Sequence, residues 1–70
     1  MGYVPGRCLL QRKLKEMKKS QQWLCEQTGM SKARISDYVN TRKIMSLSSA
    51  KTIAHALGCH IDDLYEFPEQ

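Results

Sequence analysis

Four short or charged side chains recur at helical spacing near the middle of the chain and could exchange contacts with another molecule: Lys32, Ala33, Ser36 and Asp37. The apolar Ile35, Tyr38 and Val39 fall on the other face, because residues three and four apart lie together on a helix. An amine, a hydroxyl and a carboxylate supply hydrogen-bond donors and acceptors, and short neighbours let the helix approach a partner closely. The spacing therefore predicts a helix with one anchored face and one recognition face.

The residues before and after these side chains include the capping residues expected for two short helices joined by a tight turn. Ser20 is a good N-cap for the first helix, and Gly29 ends it with the residue that enters the left-handed conformation most freely. Ser31 caps the second helix, which we expect to run from Lys32 to about Val39. This segment predicts a helix-turn-helix unit.

Positive charge is concentrated in the same part of the chain. Residues 1–51 contain all 11 lysines and arginines with only three acidic side chains, whereas residues 52–70 contain four acidic side chains and no lysine or arginine. A run of basic residues alone is usually a solvated helix face. Beside a two-helix unit with an exposed polar row, it favours a polyanionic partner, and the major groove of DNA is the candidate.

Length and motifs exclude several other classes. Seventy residues form one small domain, and no apolar run approaches the roughly 18 residues that cross a bilayer. No nucleophile with a base and an orienting group can be assembled, so we predict that the chain is not an enzyme. We also predict no cofactor and no metal site, because His55 and Cys59 lack further ligands at a suitable spacing. The three cysteines have no C-x-x-C spacing, which favours reduced thiols in the cytoplasm.

The remaining elements follow in order. Residues 1–6 read as a flexible leader, and residues 67–70 as a C-terminal tail. A basic helix is expected from about Arg7 to Lys18, a fourth helix between Ser46 and Gly58, and a short fifth helix over residues 60–65. The predicted fold is all-α, a compact five-helix domain over residues 7–66. The expected core consists of Leu10, Leu14, Met17, Leu24, Cys25, Met30, Ile35, Tyr38, Val39, Leu47, Ala50, Ile53, Ala54, Leu57, Ile61 and Leu64.

Several short motifs resemble the Cro and phage-repressor family of helix-turn-helix proteins, often called Xre-like. They are Ser20-Gln21 with Leu24, Gly29-Met30-Ser31, Ile35-Ser36, Asn40, Ile53-Ala54, Ala56-Leu57-Gly58 and Asp63-Leu64. The resemblance covers about residues 7 to 66. It implies a lambda-repressor-like domain in which the second helix crosses the DNA backbone and the third enters the major groove. It also implies a transcriptional regulator of phage or mobile-element type, most often a repressor, at the nucleoid of a bacterial or phage-infected cell.

The resemblance assigns roles to residues of the two helices and the loop after them. The base-reading set is Lys32, Ala33, Arg34, Ser36 and Asp37, and the phosphate-binding set is Gln21, Gln22, Asn40, Thr41, Arg42 and Lys43. Lysine can donate to guanine O6 and N7, and an alanine methyl can meet the methyl group of thymine. A carboxylate close to phosphates is repelled, so Asp37 either accepts from a cytosine amino group or pairs with Arg34.

The chain departs from the family pattern at three places. Leu14 and Val39 stand where members commonly pair an Arg with a Glu, and we expect them to pack together instead. Cys25 occupies a position that usually holds a small residue, and it is expected to act as a small hydrophobe. Thr41 stands where Gly is frequent, so either Asn40 takes the left-handed conformation or the loop follows another path.

Two classes of function remain open. The first is sequence-specific binding to a double-stranded operator with an inverted repeat, by a homodimer formed at least on DNA. The expected dimer surface lies in the acidic, apolar C-terminal segment and comprises Ile61, Leu64, Tyr65 and Phe67. The second is a protein-interaction module, such as an antitoxin or an antirepressor, because one fold hosts different functions.

Overall fold

The structure, a computed structural model, describes residues 5–67 and contains four α-helices followed by one 3-10 helix. The helices are α1 (Leu10–Met17), α2 (Gln21–Thr28), α3 (Lys32–Val39) and α4 (Leu47–Leu57), and the 3-10 helix is Ile61–Leu64. The all-α, helix-turn-helix prediction is confirmed. The short fifth helix expected over residues 60–65 is a single 3-10 turn and not a fifth α-helix, and the chain is extended again at Tyr65.

Helix boundaries follow the capping residues expected from the sequence. The hydroxyl oxygens of Ser20, Ser31 and Ser46 each accept a hydrogen bond from the backbone N–H three residues further on. Gly29 and Gly58 adopt left-handed conformations, with φ of 73° and 70°, at the ends of α2 and α4. Helix α1 begins at Leu10 and not near Arg7, because the residues before it pair with the C-terminal segment.

The core lies between the helices. Its largest fully buried side chains are Leu10, Leu14, Leu24, Ile35, Ile53 and Leu64. Leu14 belongs to this core and Val39 packs against it partly buried, as do Met17, Cys25, Met30 and Ile61. The placement of Leu47 in the core was wrong, since it is 77% exposed; Met45, from the preceding loop, is buried instead. Cys8 and Tyr65 are also buried, and the sequence pattern indicated neither.

The two ends of the described chain pair in a short antiparallel bridge, which we call the terminal bridge (residues 6–9 with 64–66). Cys8 and Tyr65 are its paired residues. The N–H groups of Gly6 and Leu9 donate to the carbonyls of Glu66 and Leu64, at 2.6 and 2.7 Å. Gly6, expected in the leader, therefore belongs to the folded domain. Residues 1–4 of that leader and 68–70 of the tail lie outside the described residues.

None of the helices within residues 5–67 has the length and apolar character needed to cross a membrane.

Candidate nucleic-acid interface

Helix α3 has the two faces expected from its sequence. Ile35 and Tyr38 are 0% and 5% exposed and anchor the helix in the core, with Val39 half-buried beside them. Lys32 and Ala33, in the first turn, are exposed to solvent. The first turn of α3 is thus available for contact with a partner, while two large side chains fix the helix in the domain.

The Arg34 side chain is turned toward α4 and away from the outer row of α3, which consists of Lys32, Ala33, Ser36 and Asp37. Its Nε donates to the hydroxyl oxygen of Tyr38 at 3.0 Å, and its Nη2 donates to Oγ of the buried Ser49 at 2.8 Å. Burial alone would raise the pKa of Tyr38, but hydrogen bonding with Arg34 and Ser49 and the positive charges of Arg34 and Lys43 lower that pKa overall. The guanidinium group expected at a base edge instead joins α3 to α4, although Arg34 as a residue remains exposed.

Asp37 is paired with two cations of the loop after α3. Its Oδ1 lies 3.4 Å from Nη1 of Arg42, and its Oδ2 lies 3.8 Å from Nζ of Lys43. The pair with Arg34, one of the two alternatives for Asp37, does not form, because Arg34 is engaged with α4. The carboxylate therefore lies between the recognition helix and the basic loop after it.

Ser36 and Asn40 form a small hydrogen-bonded group at the end of α3. The amide Nδ2 of Asn40 donates to the carbonyl of Ser36 at 2.9 Å and to its Oγ at 3.3 Å. The Asn40 side chain thus closes the last turn of the helix in the free protein. Asn40 is exposed and Ser36 is half-buried.

Thr41 takes the left-handed conformation itself, with φ of 57°. Asn40, which was one of the two alternatives, does not adopt it, since its φ is −88°. A β-branched residue at positive φ is strained, but the hydroxyl oxygen of Thr41 accepts a hydrogen bond from the Cys8 N–H at 3.3 Å. This bond joins the end of the recognition helix to the terminal bridge and helps to hold the unusual backbone.

The glutamines expected to contact phosphates lie at the start of α2. Gln21 is half-buried, and its Nε2 donates to Oε1 of Gln11 on α1 at 3.2 Å. Gln22 is exposed, and its amide lies 3.5 Å from a carboxylate oxygen of Glu26.

The C-terminal segment does not have the exposed apolar surface that its sequence predicted. Leu64 and Tyr65 are 0% and 6% exposed, because the terminal bridge and the Tyr65 hydroxyl, which accepts from the Met45 N–H at 3.0 Å, hold them inside the domain. They are therefore wrong as dimer-surface residues. Ile61 is half-buried and Phe67 is 37% exposed. Sequence reasoning did not foresee that Ile44, in the loop after α3, would be 65% exposed.

Comparison with known proteins identifies the class. Residues 10–70 match the model of the Cro/C1-type HTH DNA-binding domain, and the chain belongs to that family. This confirms the resemblance carried by the sequence motifs. The family is defined by DNA binding and not by a reaction, in agreement with the prediction that the chain is not an enzyme.

Two curated relatives come from a bacterial prophage. The chain is 41% identical over 63 residues, 89% of its length and 85% of the relative's, to the SPbeta prophage-derived uncharacterized HTH-type transcriptional regulator YopS of Bacillus subtilis (strain 168). It is 51% identical over 43 residues to the SPbeta prophage-derived uncharacterized HTH-type transcriptional regulator YotL of the same strain, covering 60% of this chain and 54% of that protein.

Proposed function

We propose that the chain is a sequence-specific, DNA-binding transcriptional regulator of phage type, acting as a repressor by placing α3 in the major groove of an operator. The observation that carries this proposal is the exposed pair Lys32 and Ala33 on a helix anchored by Ile35 and Tyr38 in a Cro/C1-type domain. Similarity to two prophage regulators supports the phage-type assignment. Such a protein acts where its DNA is, in the cytoplasm of the bacterial cell.

Base reading is assigned to the first turn of α3. Lys32 is exposed and carries an amine that can donate to guanine O6 and N7, while the methyl group of Ala33 can contact thymine. Ser36 and Asp37 lie one turn further along and already have partners in the free protein. Arg34 is assigned a positioning role, because its guanidinium holds α3 against α4.

Phosphate binding is assigned to the two ends of the helix pair. Gln21 and Gln22 lie at the start of α2, and Arg42 and Lys43 lie in the loop after α3. These contacts set the position of the helix on the duplex without reading its sequence. The side chains of Asn40 and Thr41 are engaged within the domain, so their contribution is to shape the loop.

Two protomers on one inverted-repeat operator make up the expected complex. A single short recognition helix reaches few base pairs, and two helices about 34 Å apart enter successive major grooves. Since Leu64 and Tyr65 are buried, a dimer contact at the C-terminal segment would have to use Ile61 and Phe67. No ligand is needed for this arrangement, because the reading side chains are already exposed.

A protein-interaction module is the second candidate, and one observation favours it. Ile44, in the loop before α4, and Leu47, the first residue of α4, are 65% and 77% exposed and lie close together in sequence. Exposed apolar side chains that form a contiguous patch are typical of contact surfaces between proteins. An antitoxin or antirepressor role would use such a surface, and its partner would be a protein.

Selection from a random duplex library tests the proposed function. We expect the chain to enrich one motif with inverted symmetry, and its affinity for that motif to fall steeply as salt rises, because lysine and arginine replace counterions on phosphates. Binding that is insensitive to salt, with no enriched motif, would favour the protein-interaction module instead. The same measurement with a scrambled duplex separates specific from sequence-independent affinity.

A further inference from the structure

The two cations of the loop after α3 are already neutralised in part before any partner binds. Arg42 and Lys43 each face a different oxygen of the Asp37 carboxylate, at 3.4 and 3.8 Å. One negative charge is therefore shared by two positive ones at the end of the recognition helix. Phosphates that bind this loop must compete with Asp37 for both cations.

The loop does not need this carboxylate for its shape. The Arg42 N–H donates to the backbone carbonyl of Asp37 at 2.8 Å, and the N–H groups of Asn40 and Thr41 donate to the carbonyls of Ser36 and Tyr38 at 3.0 Å each. The Thr41 hydroxyl adds a bond to the terminal bridge. Because backbone bonds already close the turn, what the Asp37 side chain adds is charge.

The side chains of the cluster differ in their freedom to move. Those of Arg42 and Lys43 are 64% and 70% exposed, whereas that of Asp37 is 27% exposed. Exposed ion pairs of this kind are weak and easily exchanged. The two cations can therefore turn to phosphates while the carboxylate stays on α3.

We propose that Asp37 is a counter-charge that limits the affinity of this chain for duplex DNA of any sequence, by competing with phosphates for Arg42 and Lys43. The inference rests on the proposed function and gives the recognition helix an acidic residue that reads no base. Its signature is a uniform effect, since a phosphate contact changes binding to all sequences alike and a base contact changes preference at one position.

Asp37→Asn is the primary test, because it keeps the size of the side chain and removes its charge. Removing one unit charge close to two others at the protein surface is expected to raise affinity about fivefold. The increase applies equally to a random duplex and to the selected operator. The logarithmic salt dependence steepens by up to about 0.9, as expected for one more phosphate neutralised.

Two control variants isolate the position and the charge. Asp37→Glu keeps the carboxylate and is expected to bind like the wild-type chain. Asp62→Asn makes the same change in net charge at an exposed residue of the 3-10 helix. It is expected to change affinity less than about twofold, since Asp62 is not paired with Arg42 or Lys43 and salt screens exposed charges.

A double-variant background tests the route through the loop. In a chain carrying Arg42→Gln and Lys43→Gln, the carboxylate has no cations to withhold, so Asp37→Asn should change affinity less than about twofold. A full fivefold effect in this background would overturn the proposal, because Asp37 would then act directly on DNA.

Other outcomes overturn the inference and leave the proposed function intact. An Asp37→Asn chain that binds more weakly, or selects a different base at one position, would make Asp37 a base reader. An unchanged affinity would show that the pair is irrelevant to binding. A wild-type chain that binds no duplex at low salt would overturn the proposed function, and the Asp37 inference with it, so the two failures are distinguishable.

Discussion

The two cations in the first turn of α3 lie in different surroundings. Lys32 is exposed at the start of the helix, whereas the guanidinium of Arg34, two residues further on, is bonded to Tyr38 and to the buried Ser49. Residues two apart point to different sides of a helix. One cation is therefore placed to contact a partner, and the other to hold the helix in its place.

Replacing Lys32 with alanine is expected to relax base preference at one position. A good contact between a lysine and guanine contributes about 1 to 3 kcal/mol of discrimination. Selection from a random-site library measures the effect, and Lys51→Ala, an exposed lysine on α4, is the matched control. An unchanged motif for Lys32→Ala would remove this residue from the reading set.

Replacing Arg34 is expected to lower stability and leave base preference unchanged. Arg34→Met keeps the apolar stem but removes the donors to Tyr38 and Ser49, which costs about 1 to 2 kcal/mol in the free energy of unfolding. Urea denaturation gives the value, and Lys32→Met should change it by less than about 0.5 kcal/mol. An altered motif with undiminished stability would return Arg34 to the reading set.

At the scale of elements, the loop after α3 is held at both of its ends by the terminal bridge. Cys8 donates its N–H to the hydroxyl oxygen of Thr41, and Tyr65 accepts from the N–H of Met45. Arg42 and Lys43 lie between these two anchored positions. The ends of the folded chain thus determine the path of a loop that lies far from them in sequence.

The backbone at Thr41 is tested by comparing glycine with alanine. Both substitutions lose the bond from Cys8, but only alanine keeps the cost of positive φ, so Thr41→Gly should be the more stable by about 1 kcal/mol. Asn40, whose φ is −88°, is the control, and there glycine should not exceed alanine in stability. Thermal or urea unfolding of the four variants measures the difference. Equal values at position 41 would contradict the left-handed conformation.

Alkaline pH is expected to weaken the terminal bridge. Burial raises the pKa of the Cys8 thiol and of the Tyr65 hydroxyl above their ordinary values of 9.0 and 10.0. The folded chain favours the neutral forms of both groups. The stability that these groups contribute is therefore fully present below their unfolded-state pKa values, and it is lost as pH rises through their folded-state pKa values. Tyr38, whose pKa is lowered in the folded chain, acts in the opposite sense, because its contribution to stability increases as pH rises.

The measurement is the free energy of unfolding between about pH 7 and about pH 11. We expect the free energy of unfolding of the wild-type chain to decline as pH rises above 9.0, the ordinary pKa of the thiol. A Cys8→Ala, Tyr65→Phe chain starts from a lower stability, because the Met45 N–H loses its acceptor, but should decline less. A parallel decline in both proteins would show that other groups are responsible.

Local features of this fold could be predicted from sequence, and long-range ones could not. Ser20, Ser31 and Ser46 cap helices because their hydroxyls reach an N–H only three residues away. The terminal bridge joins residues 6–9 to 64–66 through backbone groups, which leave no pattern in side-chain type. The candidate site shows the same division between local and long-range features. The exposure of Lys32 could be predicted from helix spacing, whereas the contact of Arg34 with Ser49 depends on how α4 packs against α3.

At the scale of the whole molecule, charge separates the two parts of the chain. The basic side chains lie in residues 1–51, mostly in and around α1, in α3 and in the loop after α3, and residues 52–70 carry acids without lysine or arginine. The net positive charge attracts a polyanion, while in the fold Asp62 and Asp63 line one pocket with Arg12 and Lys13 of α1. When two protomers bind DNA, their acidic C-terminal segments are expected to lie outside the proposed contact with phosphates.

Sedimentation with and without the selected operator tests the assembly. We expect two protomers on each inverted-repeat duplex, and one protomer on a duplex that keeps only half of the repeat, because each α3 occupies one major groove. The half-site duplex is the control for sequence-independent binding. A single protomer occupying the full repeat would contradict the dimer.

The most direct measurement of the central claim is the change in backbone amide signals of the labelled chain when operator duplex is added. The account predicts the largest changes at Lys32 and Ala33, with further changes at the start of α2 and in the loop at Arg42 and Lys43. Unchanged signals for Lys32 and Ala33, with shifts confined to residues 61–66, would contradict it.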